Sequence, residues 1–374
     1  MKMKPGIGKF AVSLLLILGL LPSRSYAAWQ GEATVSGLYD SNVMRSSYAA
    51  MGDRVTEMTA SVGYQQDWAG LSGLVSYQFG SVSYDTLSDH NYSIHTFAMI
   101  AQHDFARRGW LRTGLHARIR SDDPVYALLD YHEYDGFVDA RILLGGQITA
   151  FSGYSLRHRG YTTAPELDNL EHQLYGRVSV PFDGGLTVQL QSEYGIKEYA
   201  AVLAGTTGST PSVAQWLNTL KVSRPVFSST GVMGYVRSRT NSGDADVFIT
   251  GLSPDSFSED DLFDDRYSYE SREFGVMVSH RLPMAVMLRT GYDYAVKEYR
   301  QQALALDGTA LPSGEARSDT VSSLWIRAEK PLNVSDGAVR LNLYGEYRWL
   351  RNMSNDAYYD YDSRSVSVGL GLLF

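Results

Sequence analysis

The chain contains no cysteine. No disulfide can brace it, and no thiolate is available as nucleophile or metal ligand. Outside Phe10 to Leu21, no apolar run approaches the roughly 18 residues that a membrane-crossing helix needs. If this chain enters a membrane, it does so by strands. Positive charge is also short: 33 Lys and Arg stand against 41 Asp and Glu, for a formal charge of −8. That is the wrong sign for nucleic acid, so no nucleic-acid partner is expected. No Ser-centred nucleophile motif stands out either.

What is present is aromatic and alternating. Tyrosine occurs 26 times and tryptophan 6 times, the supply expected for two aromatic girdles at membrane interfaces. Mean hydropathy is −0.21, as in a soluble protein. A barrel gives the same average, because lumen-facing and lipid-facing residues cancel along each strand.

The amino-terminal end reads as an export signal. Lys2, Lys4 and Lys9 form a basic region, Phe10 to Leu21 an apolar one, and Ser25-Tyr26-Ala27 places small residues for cleavage after Ala27. Residues 1–27 are thus predicted to be a signal peptide and 28–374 a single domain. Removing Lys2, Lys4, Lys9 and Arg24, and no acid, takes the formal charge from −8 to −12.

Alternating segments recur throughout. They run Trp29 to Asn42, Arg54 to Gln66, Leu71 to Tyr84, Tyr92 to Asp104, Trp110 to Arg120, Tyr134 to Leu144, Gln147 to Arg159 and Leu170 to Phe182. Then come Leu186 to Tyr199, Ala214 to Val226, Thr230 to Arg239, Arg272 to Leu282, Ala285 to Tyr299, Thr320 to Lys330, Ala338 to Leu350 and Arg364 to Phe374. Short turns such as Asp183-Gly184-Gly185 alternate with long connections such as Thr240 to Ser271. That asymmetry separates periplasmic turns from extracellular loops. The predicted fold is all-β: a transmembrane antiparallel up-and-down barrel of about sixteen strands, or fourteen or eighteen if a hairpin is merged or missed, in a Gram-negative outer membrane.

The last strand carries Ser367, Gly369, Leu372 and Phe374 in a polar-x-Gly-x-x-apolar-x-aromatic pattern. It resembles the terminal insertion signal of outer-membrane barrels, which implies recognition by the barrel-assembly machinery. The first strand ends Tyr39-Asp40-Ser41-Asn42-Val43. This resembles the opening of free-standing barrels encoded with exopolysaccharide systems, and of the barrel domain of surface lipoprotein assembly modifiers. The modifiers usually carry a helical-repeat domain and a barrel resembling a fourteen-stranded one, so the free-standing branch is favoured. Physically, Asp40 and Asn42 alternate inward and can hydrogen-bond the strand seam near the mouth.

Alternation also assigns the lumen. It places Arg112, Arg118, Arg120, Arg141, Arg157, Arg159 and Arg177 on one inner wall, a candidate anion surface. Further inward cations are Lys197, Arg237, Arg239, Arg289, Lys297, Arg327, Arg340 and Arg348. Inward acids read as fewer: Asp139, Glu171, Glu193, Glu273, Asp293, Glu329 and Glu346. A charge on the lipid face near the midplane would cost about 2–4 kcal/mol, which enforces this register. Two readings stay open: an anion-selective surface, or a structural network of Arg–carboxylate pairs.

A barrel this wide has an aqueous lumen unless loops plug it. The expected activity is passive passage of anionic solutes, small or polymeric, with exopolysaccharide export as one case. The alternatives are a non-conducting barrel acting as a surface-protein secretion factor or adhesin, and a rim-sited hydrolase using Asp89-His90 or Asp130-Tyr131-His132. No catalysis, cofactor or metal is expected. The acid-rich stretch Thr240 to Ser271 matches no ordered calcium loop, but its length would let it fold into the mouth. Outer-membrane lipid and lipopolysaccharide are expected as surroundings.

Overall fold

The structure, a computed structural model, describes residues 28–374 except 69, 106–107, 146, 201–211, 243–265 and 335–338. The predicted signal segment 1–27 and most of the acidic stretch 240–271 lie outside the described residues. The strands are β1 Ala28–Asp40, β2 Asp53–Trp68, β3 Leu71–Tyr84, β4 Tyr92–Asp104, β5 Gly109–Asp122, β6 Tyr131–Leu144, β7 Ile148–Tyr161 and β8 Asn169–Pro181. They continue as β9 Thr187–Tyr199, β10 Ser212–Phe227, β11 Thr230–Ser242, β12 Tyr269–Arg281, β13 Met287–Gln302, β14 Ala316–Val334, β15 Val339–Ser354 and β16 Tyr361–Leu373. Each pairs antiparallel with its chain neighbour, and β1 closes on β16. Sixteen strands among the described residues make a closed up-and-down barrel, as the alternation predicts.

Side-chain parity gives the barrel its two surfaces. Leu111, Leu115 and Ile119 of β5 point outward and are exposed, while Arg112, Arg118 and Arg120, at the alternate positions, point inward. The outward set continues around the wall through Val138, Leu174, Leu190, Trp216, Val236, Phe274, Ile326, Leu343 and Val368. An apolar belt of this extent is unsustainable in water and matches a bilayer core.

Buried apolar residues gather instead at the long-loop ends of the strands. Leu129, Tyr131, Tyr161, Ala164 and Leu167 form one cluster, and Val43, Met44 and Val55 another. The interior of the barrel is lined mainly by polar and charged side chains, with aromatic rings set among them.

Several strands extend further at the loop end than the alternation suggests. β6 begins at Tyr131 rather than Tyr134, β12 at Tyr269 rather than Arg272, and β14 at Ala316 rather than Thr320. Beyond the bilayer, outward positions need not be apolar, so the hydrophobic signal stops before the hydrogen bonds do. β1 goes the other way and ends at Asp40. There the Asn42 amide donates to Asp40 Oδ1 at 2.8 Å, turning the chain.

The short turns show how backbone geometry is met. In Asp183-Gly184-Gly185 the two glycines take φ of 73° and 78°. The turn Pro283-Met284-Ala285 has the same shape, with Met284 at 59° and Ala285 at 60°. These are left-handed positions that glycine occupies without a Cβ clash and other residues occupy at a cost.

The seam is closed by the chain's two ends. Phe374 exchanges both backbone hydrogen bonds with Gly31 at 3.0 Å. Its ring lies across Gly31, where a Cβ would come within 2.0 Å of it. At the opposite end of the seam Asp40 accepts from the Ser363 hydroxyl, and Asn42 Nδ2 donates to the Ser46 and Asp362 carbonyls at 2.8 and 3.2 Å. Asp40 and Asn42 are buried; Asp40 faces inward at the end of β1, whereas Asn42 lies in the turn beyond it.

Candidate functional site

The inner wall of β5 to β9 is organised in register rows. Arg118, Glu133 and Arg159 lie side by side on β5, β6 and β7. Glu133 accepts from Arg118 Nη1 at 3.1 Å and from Arg159 Nε at 2.9 Å. The next row is His116, Asp135, Arg157, Glu171 and Lys197, and from Asp135 to Lys197 the charges alternate in sign across four strands. Below it Arg112 grips Asp139, Nε to Oδ1 at 3.1 Å and Nη2 to Oδ2 at 2.8 Å. Facing acids are therefore not scarce on this wall, which corrects the count from sequence. Glu133 and Asp135 belong to β6, and Glu133 fell outside the strand as the alternation bounded it.

The pairs are asymmetric. In Arg112–Asp139 the guanidinium side chain is 36% exposed and the acid 3%; in Arg118–Glu133 the values are 40% and 6%. Arg157–Glu171, Arg237–Glu273, Arg289–Glu329, Arg327–Glu346 and Arg348–Glu346 have the same sense. The short carboxylates stay against the wall, and the long arginine stems carry the positive group past them into the lumen. The arginines are paired with carboxylates, yet the groups that extend furthest into the lumen are guanidinium.

Two predicted wall residues, Arg120 and Arg159, and two of the further inward cations, Lys197 and Arg239, do not reach that surface. Arg120 is buried on Asp122, at 2.6 Å, with its guanidinium 3.9 Å above the Tyr92 ring. Arg159 is buried on Glu133 and over Tyr131, and Arg239 is buried over Tyr269. All of them, Lys197 over Tyr199 included, sit at the loop end, where the clustered tyrosines cover them. Arg141 and Arg177 are exposed and lack a carboxylate partner among the described residues. Lys221 on β10 also faces inward without such a partner, and continued alternation would have found it. Arg340 lines a recess beside Glu32 and Phe374 at the short-turn end.

One feature had no sequence signal. Arg266 and Tyr267, just before β12, fold inward and reach across the wall to β8. The Tyr267 hydroxyl donates to Glu171 Oε1 at 2.7 Å, and Arg266 Nη2 bonds the same oxygen. Arg266 Nη1 lies 3.9 Å from Glu193. The sequence separation from Glu171 is 95 residues, beyond the reach of any local pattern. Thus the described end of the long connection does fold into the mouth.

The histidines of the two rim candidates pack against neighbouring rings. His90 packs at a tilt against Tyr126, centroids 4.2 Å apart, while His132 neighbours His158 at 6.3 Å. Asp130 spends its carboxylate on the Asp122 amide at 2.6 Å. Among the described residues no group of three or more His, Asp or Glu is placed to hold a metal ion.

No family model matches this chain, and no curated protein does. Solved structures match over nearly the whole length. OccAB1 of Acinetobacter baumannii is 10% identical, with 93% of this chain and 96% of that one covered and a TM-score of 0.53. A bacterial polysaccharide outer membrane secretin is 10% identical, covering 92% and 97%, with a TM-score of 0.51. OccK2 (OpdF) of Pseudomonas aeruginosa, in complex with glucuronate, is 11% identical, covering 93% and 96%, with a TM-score of 0.50. At such identities the likeness establishes the fold, that of a sixteen-stranded outer-membrane barrel, and with the apolar belt it places the chain in the Gram-negative outer membrane.

Proposed function

We propose that this protein is a passive outer-membrane channel for small anionic solutes. The observation that carries the reading is the exposure asymmetry of the lumenal ion pairs, reinforced by the unneutralised Arg141, Arg177 and Lys221. An anion entering the lumen meets guanidinium groups first, with their carboxylates recessed behind them. The surrounding low-dielectric wall focuses that field, lowering the entry energy of anions and raising that of cations. The structures of OccAB1 and of glucuronate-bound OccK2 support the reading through shared architecture. Proteoliposomes containing the purified protein should admit gluconate faster than neutral sugars of similar size; equal rates would count against it.

A second reading has one specific support. Export of an acidic polysaccharide fits the Tyr39–Val43 resemblance and the likeness to a polysaccharide secretin. On either reading we assign residues 1–27 as a cleaved signal peptide, and Gly369, Leu372 and Phe374 as the signal met by the barrel-assembly machinery. Outer-membrane lipid and lipopolysaccharide would contact the apolar belt and the loop rim.

A further inference from the structure

Below the ion-pair rows, toward the short turns, the inner wall of β5 to β9 changes character. One register row runs obliquely through Trp110, Arg141, Phe151, Arg177 and Gln191. Each shares parity with a lumenal side chain of its own strand, so all five point inward. The row alternates ring with guanidinium, where the rows above alternate cation with carboxylate. Arg141 and Arg177 lie two strands apart, about 10 Å at ordinary sheet spacing.

The rings form a shelf. Phe151 stacks with Tyr175, centroids 5.7 Å and planes 23° apart, and meets Trp110 edge-on at 5.9 Å. Arg177 lies 5.1 Å over the Phe151 ring. Tyr175 lies flat against the wall because position 153 is glycine: a Cβ there would come within 2.6 Å of the ring. The three rings are only half-buried, so they keep apolar surface toward the lumen. Beside the shelf, Gln191 donates to Glu193 at 2.7 Å, leaving amide and carboxylate acceptors next to the rings.

These groups differ in what they select. Unneutralised guanidinium prefers a carboxylate, which it can grip with two parallel bonds. A flat aromatic face binds another flat, largely apolar face. Amide and carboxylate acceptors seek hydroxyl donors. A simple inorganic anion would use only the first of these. An aromatic acid would use the first two and leave Glu193 and Gln191 against a ring edge. A carboxylated sugar uses all three.

We infer that the Trp110–Arg141–Phe151–Arg177 row is a binding subsite for carboxylated sugars. The sugar ring lies on the Phe151–Tyr175 shelf, its carboxylate engages Arg141 or Arg177, and its hydroxyls meet Gln191 and Glu193. This deepens the channel reading and rests on it, since a solute reaches the row only through the lumen.

The test is titration calorimetry of the purified, detergent-solubilised protein with D-glucuronate, D-glucose, acetate and benzoate. Glucuronate should bind saturably, and glucose and acetate at least about tenfold more weakly, because glucose lacks the carboxylate and acetate lacks both the ring face and the hydroxyls. Arg141→Gln with Arg177→Gln, and separately Phe151→Leu, should each weaken glucuronate by about tenfold. Equal binding of glucuronate and acetate overturns the inference, because the wall would then sense charge alone. Benzoate binding more tightly than glucuronate, or an inert Phe151→Leu, also overturns it. If the double variant loses heat-modifiable migration, Arg177→Lys and Phe151→Leu carry the same comparison. Planar-bilayer conductance is measured alongside: binding without conduction defeats the channel reading alone, and conduction without selective glucuronate binding defeats the subsite alone.

Discussion

Arg112 holds both oxygens of Asp139, at 3.1 and 2.8 Å, with the acid sealed in the wall and the guanidinium half in the lumen. Their removal should therefore be unequal. Arg112→Gln leaves a buried carboxylate uncompensated and should cost about 3 kcal/mol. Asp139→Asn leaves a cation that water can reach, and should cost about 1 kcal/mol or less. Urea unfolding in lipid vesicles measures both. Equal losses would mean that the asymmetry of burial has no energetic counterpart.

The same asymmetry separates the arginines into two classes. Arg141→Gln and Arg177→Gln should fold as the parent does while reducing anion preference. Arg118→Gln and Arg157→Gln should reduce both, because Glu133 and Glu171 are buried acids that would each lose one of their partners. Heat-modifiable migration and ion selectivity, read on the same preparations, check this division.

Most of the barrel was legible in the sequence, because lipid on one side and water on the other force a period of two. The strand bodies and the inward parity of Arg112, Arg141, Arg157 and Arg177 follow from that alone. Glu133 was lost because β6 outlasts the membrane, where His132 replaces an apolar outward neighbour. Arg120 and Arg159 were placed on the correct face, but parity says nothing of depth, and only the packed loops show them covered. Arg266 and Tyr267 were illegible for a different reason: a contact spanning about a hundred residues leaves no periodic trace.

The loop cap should loosen in acid. Burial against Tyr126 holds His90 below its ordinary value of 6.5, against the opposing pull of Asp89, Asp122 and Asp53. A depressed histidine binds its proton more weakly in the packed loops than in open ones. Its contribution to packing is complete above pH 6.5 and is lost as pH falls through the depressed value. Hydrogen exchange of residues 85–91 and 123–130 should speed up on acidification, and His90→Phe should flatten that response. An unchanged acid response in His90→Phe would assign it to the neighbouring carboxylates.

The Pro283-Met284-Ala285 turn stores avoidable strain. Ala285→Gly relieves a left-handed alanine and should stabilise the barrel by about 1 kcal/mol, less the added freedom of the unfolded chain. No gain in urea midpoint would mean that the strain is already relieved by neighbouring contacts.

Phe374 lies over Gly31 at the closing seam. Gly31→Val should displace the ring and lower the folded fraction in the outer membrane, as should deletion of Phe374. Membrane levels matching the parent in both variants would show that neither contact is needed for assembly.

The most direct test of a guanidinium-faced lumen is the reversal potential of the purified protein in a planar bilayer across a potassium chloride gradient. The recessed carboxylates and projecting arginines predict a potential of the sign for chloride preference. It should shrink as salt rises, because the Debye length falls from about 10 Å at 0.1 M to about 3 Å at 1 M. Asp139→Asn should shift it further toward chloride. A potential of the sign for potassium preference, or no conductance at all, would contradict the account.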